Sequence, residues 1–93
     1  MNNRLGETQN FRLPMNAPES AAEIIEVVYQ ALKAKGHDPI LQLVGYIISG
    51  DPTYITSYQN ARSLIMKVER DEILDVLFEN YIDTVLEKKS EAE

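Results

Sequence analysis

Two glycines, each followed by an Asp-Pro pair, restrict the fold of this chain more than any other feature. Gly36 precedes Asp38-Pro39, and Gly50 precedes Asp51-Pro52. Glycine adopts at low cost the left-handed conformation that ends a helix, and an Asp side chain caps the turn that follows. Proline suits the first position of that turn because its missing N–H needs no partner there. The sequence therefore predicts a helix that ends at Gly36, a second helix between the glycines, and a tight corner after Gly50.

Hydrophobic periodicity and these boundaries together predict four helices. We place them at residues 19–35, 39–49, 57–67 and 70–87. The residues between Asp51 and Gln59 form a turn with room for one helical turn. The fold class is therefore all-α, a compact bundle of four to five short helices with a helix-turn-helix-like corner.

Helix two is apolar nearly all round, which predicts that it lies buried at the centre of the bundle. It spans only ~16 Å at about 1.5 Å per residue, too short to cross a membrane. Gly45 in its interior costs roughly 1 kcal/mol relative to Ala, so we expect a close helix crossing there. The periodicity of helix three turns Ala61, Leu64, Ile65 and Val68 inward, and Arg62 and Lys67 outward.

The last helix separates its side chains into an acidic row and a broad apolar stripe. The acidic row consists of Asp71, Asp75, Glu79, Asp83 and Glu87. The apolar stripe consists of Leu74, Leu77, Phe78, Tyr81 and Val85, widened by Ile73, Val76 and Ile82. Such an acidic row is typical of a solvated face. The stripe is wider than one small neighbouring face would cover, so we expect a two-fold homodimer.

Length and composition exclude several kinds of protein. The chain has 93 residues, no Cys and one His, which excludes disulfides, thiolate metal sites and histidine clusters. With no apolar targeting segment or membrane span, it is expected in the cytoplasm. Residues 1–17 are polar and interrupted by proline, so we expect a flexible, phosphorylatable arm there, a single helical domain over 18–87, and a flexible tail over 88–93.

The formal net charge of −6 comes from the C-terminal quarter of the chain. Residues 1–68 hold six acidic and six basic residues, whereas residues 69–93 hold nine acidic residues against three basic ones. An acidic end repels nucleic acid and anionic membranes, so we expect neither as a partner.

Catalysis needs convergent reactive groups, and the sequence offers few. His37 lies beside Asp38 at a helix end, a position typical of a structural or solvent-exposed imidazole rather than a general base. The glycines do not form a phosphate-binding loop, because its Gly-Lys-Ser/Thr pattern is absent. We therefore expect no enzyme activity, no catalytic residues, no cofactor and no metal site.

Helix two, the corner and helix three resemble a helix-turn-helix, which supports an alternative function as a DNA-binding regulator that uses Gln59, Asn60 and Arg62. Such a regulator would bind duplex DNA with a steep salt dependence. The small number of bases near the start of helix three favours instead a protein-facing patch that includes Arg62 and Lys67. A further alternative is a purely structural dimerisation module.

Thr8 in the predicted arm is a candidate modification site. It stands between Glu7 and Gln9, three residues before Phe11. A kinase must thread an extended segment into its cleft, so a Thr in a mobile arm is accessible to one. Phosphorylation would add about −1.5 to −2 charges between Arg4 and Arg12, which would dock or release the arm.

Four short segments follow an order and spacing that are specific to one protein family. They are Val44-Gly45-Tyr46, Ser49-Gly50-Asp51-Pro52-Thr53-Tyr54-Ile55, Asn60-Ala61-Arg62 and Glu69-Arg70-Asp71-Glu72-Ile73, preceded by Tyr29, Leu32, Lys35-Gly36 and Asp38-Pro39. Over residues 19–83 the chain resembles the IreB/ReoM-like regulatory phosphoproteins of Gram-positive bacteria. Ser57 and Met66 stand where family members usually carry basic residues.

The resemblance implies a non-enzymatic helical homodimer whose arm is phosphorylated by a PASTA-type Ser/Thr kinase and dephosphorylated by a cognate phosphatase. The family's Glu-Thr-x-x-Phe context is reproduced by Glu7, Thr8 and Phe11, which implies Thr8 as the phosphorylation site. Family members control peptidoglycan precursor synthesis through Clp-dependent degradation of an enolpyruvyl transferase. The resemblance implies that the unphosphorylated form promotes this degradation and that phosphorylation relieves it.

Residues and resemblance together predict a phosphorylation-switched adaptor. It would present Arg62, Lys67 and Arg70 to a protein partner, with the Clp machinery and its enolpyruvyl transferase target as the implied candidates. Phosphorylated Thr8 would alter access to that surface by pairing with bases or by repelling acids, and the sequence leaves both open.

Overall fold

The computed structural model describes residues 18–88, and all regular structure in this range is helical. Its four α-helices are α1 (Ala21–Ala34), α2 (Pro39–Ser49), α3 (Ala61–Ile65) and α4 (Arg70–Tyr81). Two 3-10 turns, Pro52–Tyr54 and Tyr58–Asn60, join α2 to α3, and a π-helical turn over Ile82–Leu86 extends α4. The predicted all-α fold is confirmed. The predicted arm and the tail from residue 89 onward lie outside the described residues.

Local hydrogen bonds set where the first two helices begin and end. The Ser20 hydroxyl accepts a bond from the Glu23 amide, and the Glu23 carboxylate accepts one from the Ser20 amide, which forms a capping box at the start of α1. The Asp38 carboxylate accepts the amides at the start of α2. Gly36 and Gly50 end these helices with φ of 78° and 75°, the left-handed conformation predicted for both.

The centre of the bundle is α1, which packs against α2, α3 and α4. Its residues Ile24, Val28, Ala31 and Leu32 are buried, and so are Tyr46, Ile55, Ala61, Leu64, Ile65 and Ile73 from the other segments. The prediction that helix two is the buried central helix is wrong. Ile40 and Ile48 in α2 are 74% and 78% exposed, because α1 occupies the central position and α2 packs at its side.

Helix three is shorter than predicted. It covers Ala61–Ile65 rather than 57–67, because Gln59 and Asn60 both have positive φ, 53° and 66°. Two successive left-handed residues interrupt a right-handed helix, so the preceding 3-10 turn cannot continue into α3. Three of the four residues predicted to face inward are buried, and Val68 packs against the same core while partly exposed.

The last helix extends as far as predicted, but its predicted apolar stripe does not pack within the chain. Ile73 is the only buried residue of α4, whereas Leu74, Leu77 and Phe78 are exposed. The bundle meets α4 along the side that carries Ile73, so the stripe points away from the core. The acidic row is exposed over its whole length, as predicted.

Replacing Gly50 by Ala should cost more stability than replacing Gly36 by Ala. Both substitutions force a side chain into the left-handed region, at a cost of about 1–2 kcal/mol. A Cβ at Gly36 would meet nothing within 4 Å, whereas one at Gly50 would lie 2.9 Å from the Arg70 guanidinium carbon. Urea denaturation of the two variants measures the difference. Equal losses of unfolding free energy would show that the guanidinium moves aside without cost.

Candidate functional site

Residues 47–55, which we call the Gly50 corner, are held by side chains from three helices. Gln42 in α2 donates to the Tyr54 carbonyl at 2.8 Å. Arg62 in α3 donates through Nε to the Ile55 carbonyl at 2.8 Å. Arg70 in α4 donates through Nη1 to the Ile47 carbonyl, also at 2.8 Å. Three of the sequence segments that carry the family resemblance therefore meet at this corner, although they are separated along the chain.

Arg62 is half-buried, whereas the periodicity predicted that it faces outward. Its Nε bonds the carbonyl of Ile55, whose own side chain is fully buried. Arg62 therefore fixes the end of the corner against the core. A guanidinium carries five N–H donors, so this bond leaves the others for a further acceptor.

The other two predicted partner-binding cations differ from each other. Arg70 is exposed, and its guanidinium lies against Gly50 while it bonds Ile47. Lys67 is exposed, and its side chain makes no hydrogen bond or ion pair with another residue in 18–88. Arg62 and Arg70 thus border the Gly50 corner through bonds to the backbone, and Lys67 offers its ammonium group to solvent.

Asp51 starts the 3-10 turn of the corner, as its place before Pro52 predicted. Its carboxylate accepts the Thr53 amide at 3.0 Å and the Thr53 hydroxyl at 2.7 Å. These bonds favour the charged form and lower the pKa of Asp51 below its ordinary value, with a smaller contribution from the positive charge of Arg62. The carboxylate therefore stays ionised and keeps the turn closed at mildly acidic pH.

Gly45 allows the corner to pack closely on α2. A Cβ built at Gly45 would overlap the aromatic ring of Tyr54. The close approach expected at this glycine is therefore present, but the neighbour is an aromatic side chain of the corner and not a crossing helix. Because Gly45 has no side chain, the Tyr54 ring lies directly against the backbone of α2.

An open apolar groove of about 340 Å³ lies between α2 and α4. Its lining residues are Ile40, Leu43, Val44, Ile47, Ile48, Leu74 and Leu77. All seven are aliphatic, so the groove offers no group for acid–base, nucleophilic or metal chemistry. It is suited to contact with another apolar protein surface.

The remaining candidates for chemistry do not form a site in the described part of the chain. His37 is exposed at the end of α1. In residues 18–88 no group of three His, Cys, Asp or Glu side chains converges to hold a metal ion. No helix in this range has the length and apolarity to cross a membrane. Thr8 and its neighbours Glu7 and Phe11 lie outside the described residues.

The structure does not place the proposed DNA-reading residues on one helix. Gln59 and Asn60 precede α3 in left-handed conformations, and Arg62 is engaged by the Ile55 carbonyl. α3 itself has five residues. The arrangement therefore differs from a recognition helix whose first turns present side chains to base edges.

Sequence reasoning missed the groove and the roles of the two arginines. A signal for the groove was present, because a surface helix needs only one apolar stripe and α2 is apolar nearly all round. A signal for Arg70 was also present. A cation at the first position of a helix lies at the positive end of its dipole, which is unfavourable unless the side chain has a partner elsewhere.

We expect Asp51→Asn to lower the melting temperature at neutral pH and to have less effect in acid. The folded-state pKa of Asp51 is below its unfolded value, so its stabilisation is present above about pH 4 and is lost as pH falls through the folded pKa. Thermal melts at about pH 7 and about pH 2 test this. The control Glu79→Gln removes an exposed carboxylate that accepts no bond from another described residue. If Asp51→Asn lowers the melting temperature equally at both pH values, the stabilisation does not come from the ionised Asp51 carboxylate.

Known proteins are similar to this chain over most of its length. The family described as IreB regulatory phosphoprotein matches residues 6–83. A UPF0297 protein of Lachnoclostridium phytofermentans is 53% identical over 85 residues, which cover 91% of this chain and 97% of the relative. A UPF0297 protein of Ruminiclostridium cellulolyticum is 49% identical over 79 residues, which cover 85% of this chain and 90% of the relative. The chain therefore belongs to the IreB family of regulatory phosphoproteins.

Proposed function

We propose that this protein is a cytoplasmic, non-enzymatic adaptor whose contacts with other proteins are switched by phosphorylation of Thr8. The observation that carries the proposal is the family match, which begins at residue 6 and so includes Thr8 together with the helical domain. Thr8 has Glu7 before it and Phe11 three residues after it. The kinase is of the PASTA type, and a cognate phosphatase reverses the modification.

The regulated process in this proposal is the synthesis of peptidoglycan precursors. The unphosphorylated protein promotes Clp-dependent degradation of the enolpyruvyl transferase that starts the pathway, and phosphorylation relieves this effect. The support for this step is family membership alone. The contribution of the structure is an adaptor-like surface, because the corner and groove offer backbone, cationic and aliphatic contacts rather than reactive groups.

The partner-facing cations in this proposal are Lys67, Arg70 and Arg62. The Lys67 ammonium group has no hydrogen-bond or ion-pair partner among the described residues, and the single side-chain bonds of Arg62 and Arg70 leave further N–H donors. Because the chain has a net charge of −6, these three cations are the groups in this region that an acidic partner could pair with. A partner segment that carries carboxylates fits this region best. Phosphothreonine, with about two negative charges, would compete for the same cations or repel the same partner.

The proposed occupant of the groove between α2 and α4 is a second copy of the chain. The groove is continuous with the apolar stripe of α4, where Phe78 and Tyr81 are also exposed. The groove is aliphatic and the stripe is aliphatic and aromatic, so two copies related by a two-fold axis can each cover the apolar surface of the other. Such an arrangement removes from water the apolar surface that the isolated chain leaves open.

Thr8→Ala should abolish phosphorylation by the PASTA kinase, whereas Thr8→Ser should retain it. The serine variant keeps the hydroxyl that accepts the phosphoryl group, and the alanine variant removes it. Intact-mass spectrometry after incubation with the kinase, followed by peptide mapping, counts and locates the phosphate. A phosphate that persists in Thr8→Ala would contradict the assignment of Thr8.

In cells, Thr8→Ala should lower the steady-state amount of the enolpyruvyl transferase, because the protein would remain in its degradation-promoting form. Immunoblotting with and without an active Clp protease measures this. The expected loss disappears when the protease is inactive. An unchanged transferase level in the presence of Clp would contradict the proposed pathway and favour a purely structural module.

Ile48→Glu should prevent self-association, whereas Met66→Glu should not. Ile48 lines the groove and is 78% exposed, and burying a carboxylate there against a second copy carries a large desolvation cost. Met66 is 54% exposed and does not line the groove. Sedimentation velocity over a range of concentrations distinguishes monomer from dimer. A wild-type protein that stays monomeric, or an Ile48→Glu variant that still dimerises, would contradict the proposed interface.

A further inference from the structure

Arg70 occupies an unfavourable place in its own helix. It is the first residue of α4, where the unpaired amides create a partial positive charge that disfavours a cation. Asp71 and Glu72 follow it in the same turn and carry the negative charge that a helix N-terminus favours. The placement of Arg70 therefore has to be explained by what its side chain contacts outside α4.

The side chain of Arg70 contacts the end of α2. Its Nη1 donates to the Ile47 carbonyl at 2.8 Å, one of the carbonyls in the last turn that have no partner within the helix. The last turn of α2 has no basic residue of its own. Arg70 therefore supplies, from another helix, the cation that a helix C-terminus favours.

Gly50 makes room for this contact. A Cβ at Gly50 would lie 2.9 Å from both the carbon and Nη1 of the guanidinium. Gly50 also ends α2 in the left-handed conformation. The end of α2 is thus shaped at one residue both to stop the helix and to receive the Arg70 side chain.

The face of α4 that Arg70 fixes is the face that lines the groove. Leu74 and Leu77 follow Arg70 at four and seven residues, so all three lie on one side of the helix. Ile47 provides both the carbonyl that Arg70 bonds and an aliphatic side chain of the groove. One hydrogen bond therefore joins the two walls of the groove at one end.

We infer that Arg70 is a positioning residue that sets the distance between α2 and α4 and so the shape of the groove. This inference deepens the proposed function, and its link to self-association rests on that proposal. Arg70 affects the second copy indirectly, by setting the shape of the groove that the copy would occupy. This role is separate from any contact that its remaining N–H donors make with other partners. Lys67 has no such role, because its side chain makes no hydrogen bond or ion pair with another described residue.

The test compares Arg70→Met with Lys67→Met by methyl NMR. Both variants replace a long cationic side chain by an uncharged one. In Arg70→Met we expect the methyl resonances of Ile47, Leu74 and Leu77 to shift while those of core isoleucines stay in place. Lys67→Met should leave both groups unchanged. Arg70→Lys keeps the positive charge near the α2 terminus and should restore the groove resonances in part.

Sedimentation experiments on the same variants measure the consequence for self-association. Arg70→Met should weaken the dimer by roughly tenfold or more, and Lys67→Met should not. If the wild-type protein does not self-associate, the proposed dimer fails, and the methyl shifts still decide the role of Arg70. Unmoved groove resonances in Arg70→Met would overturn the inference. Shifts spread equally through the core would also overturn it, because they would indicate a general loss of stability.

Discussion

The termination of α2 is the constraint on which the rest of this structure depends. A helix leaves its last carbonyls unpaired, and α2 ends in a tight corner rather than in open solvent. Gly50 provides the left-handed turn, with its amide bonded to the Tyr46 carbonyl. Arg70 then donates to the carbonyl of Ile47 from α4. Because this closure uses Arg70, the end of α2 is tied to the first turn of α4.

The apolar character of α2 follows from its position between three different neighbours. One side carries the buried Tyr46 toward α1 and the core. A second side carries Gly45, which receives the Tyr54 ring of the corner. A third side opens to the groove, where Val44 and Ile48 are exposed. These three sides together account for an apolar sequence that looks like that of a buried helix although much of α2 faces outward.

The sequence was a good guide wherever one turn of chain decides the structure. Gly36, Gly50 and Asp38 act on amides and carbonyls within a few residues, so the boundaries of α1 and α2 were predicted closely. Burial was predicted less well, because periodicity identifies an apolar face and not which helix takes the central position. The short α3 was missed because a left-handed Gln59 next to a left-handed Asn60 has no strong signal in residue preference.

The candidate site was predicted as residues but not as an arrangement. Arg62, Lys67 and Arg70 were singled out for their charge, and charge alone treats them as equivalent. The structure distinguishes them by their backbone acceptors. Arg62 bonds the carbonyl of Ile55, 7 residues away, and Arg70 bonds the carbonyl of Ile47, 23 residues away. Contacts over such distances depend on how the helices are packed. Sequence spacing within one helix carries no information about them.

The side chain of Arg70 belongs both to the Gly50 corner and to one end of the groove. An acidic partner that binds Arg70 would therefore act on both. A carboxylate is a stronger acceptor for a guanidinium than a neutral carbonyl is. A partner that uses the free N–H donors of Arg70 leaves the bond to Ile47 intact and stiffens the end of the groove. A partner that takes the Nη1 hydrogen bonded to Ile47 removes that bond and with it the hydrogen bond between α4 and the end of α2. The proposed role of Arg70 therefore predicts that partner binding at the Gly50 corner is coupled to packing in the groove, with a sign set by which N–H of Arg70 the partner engages.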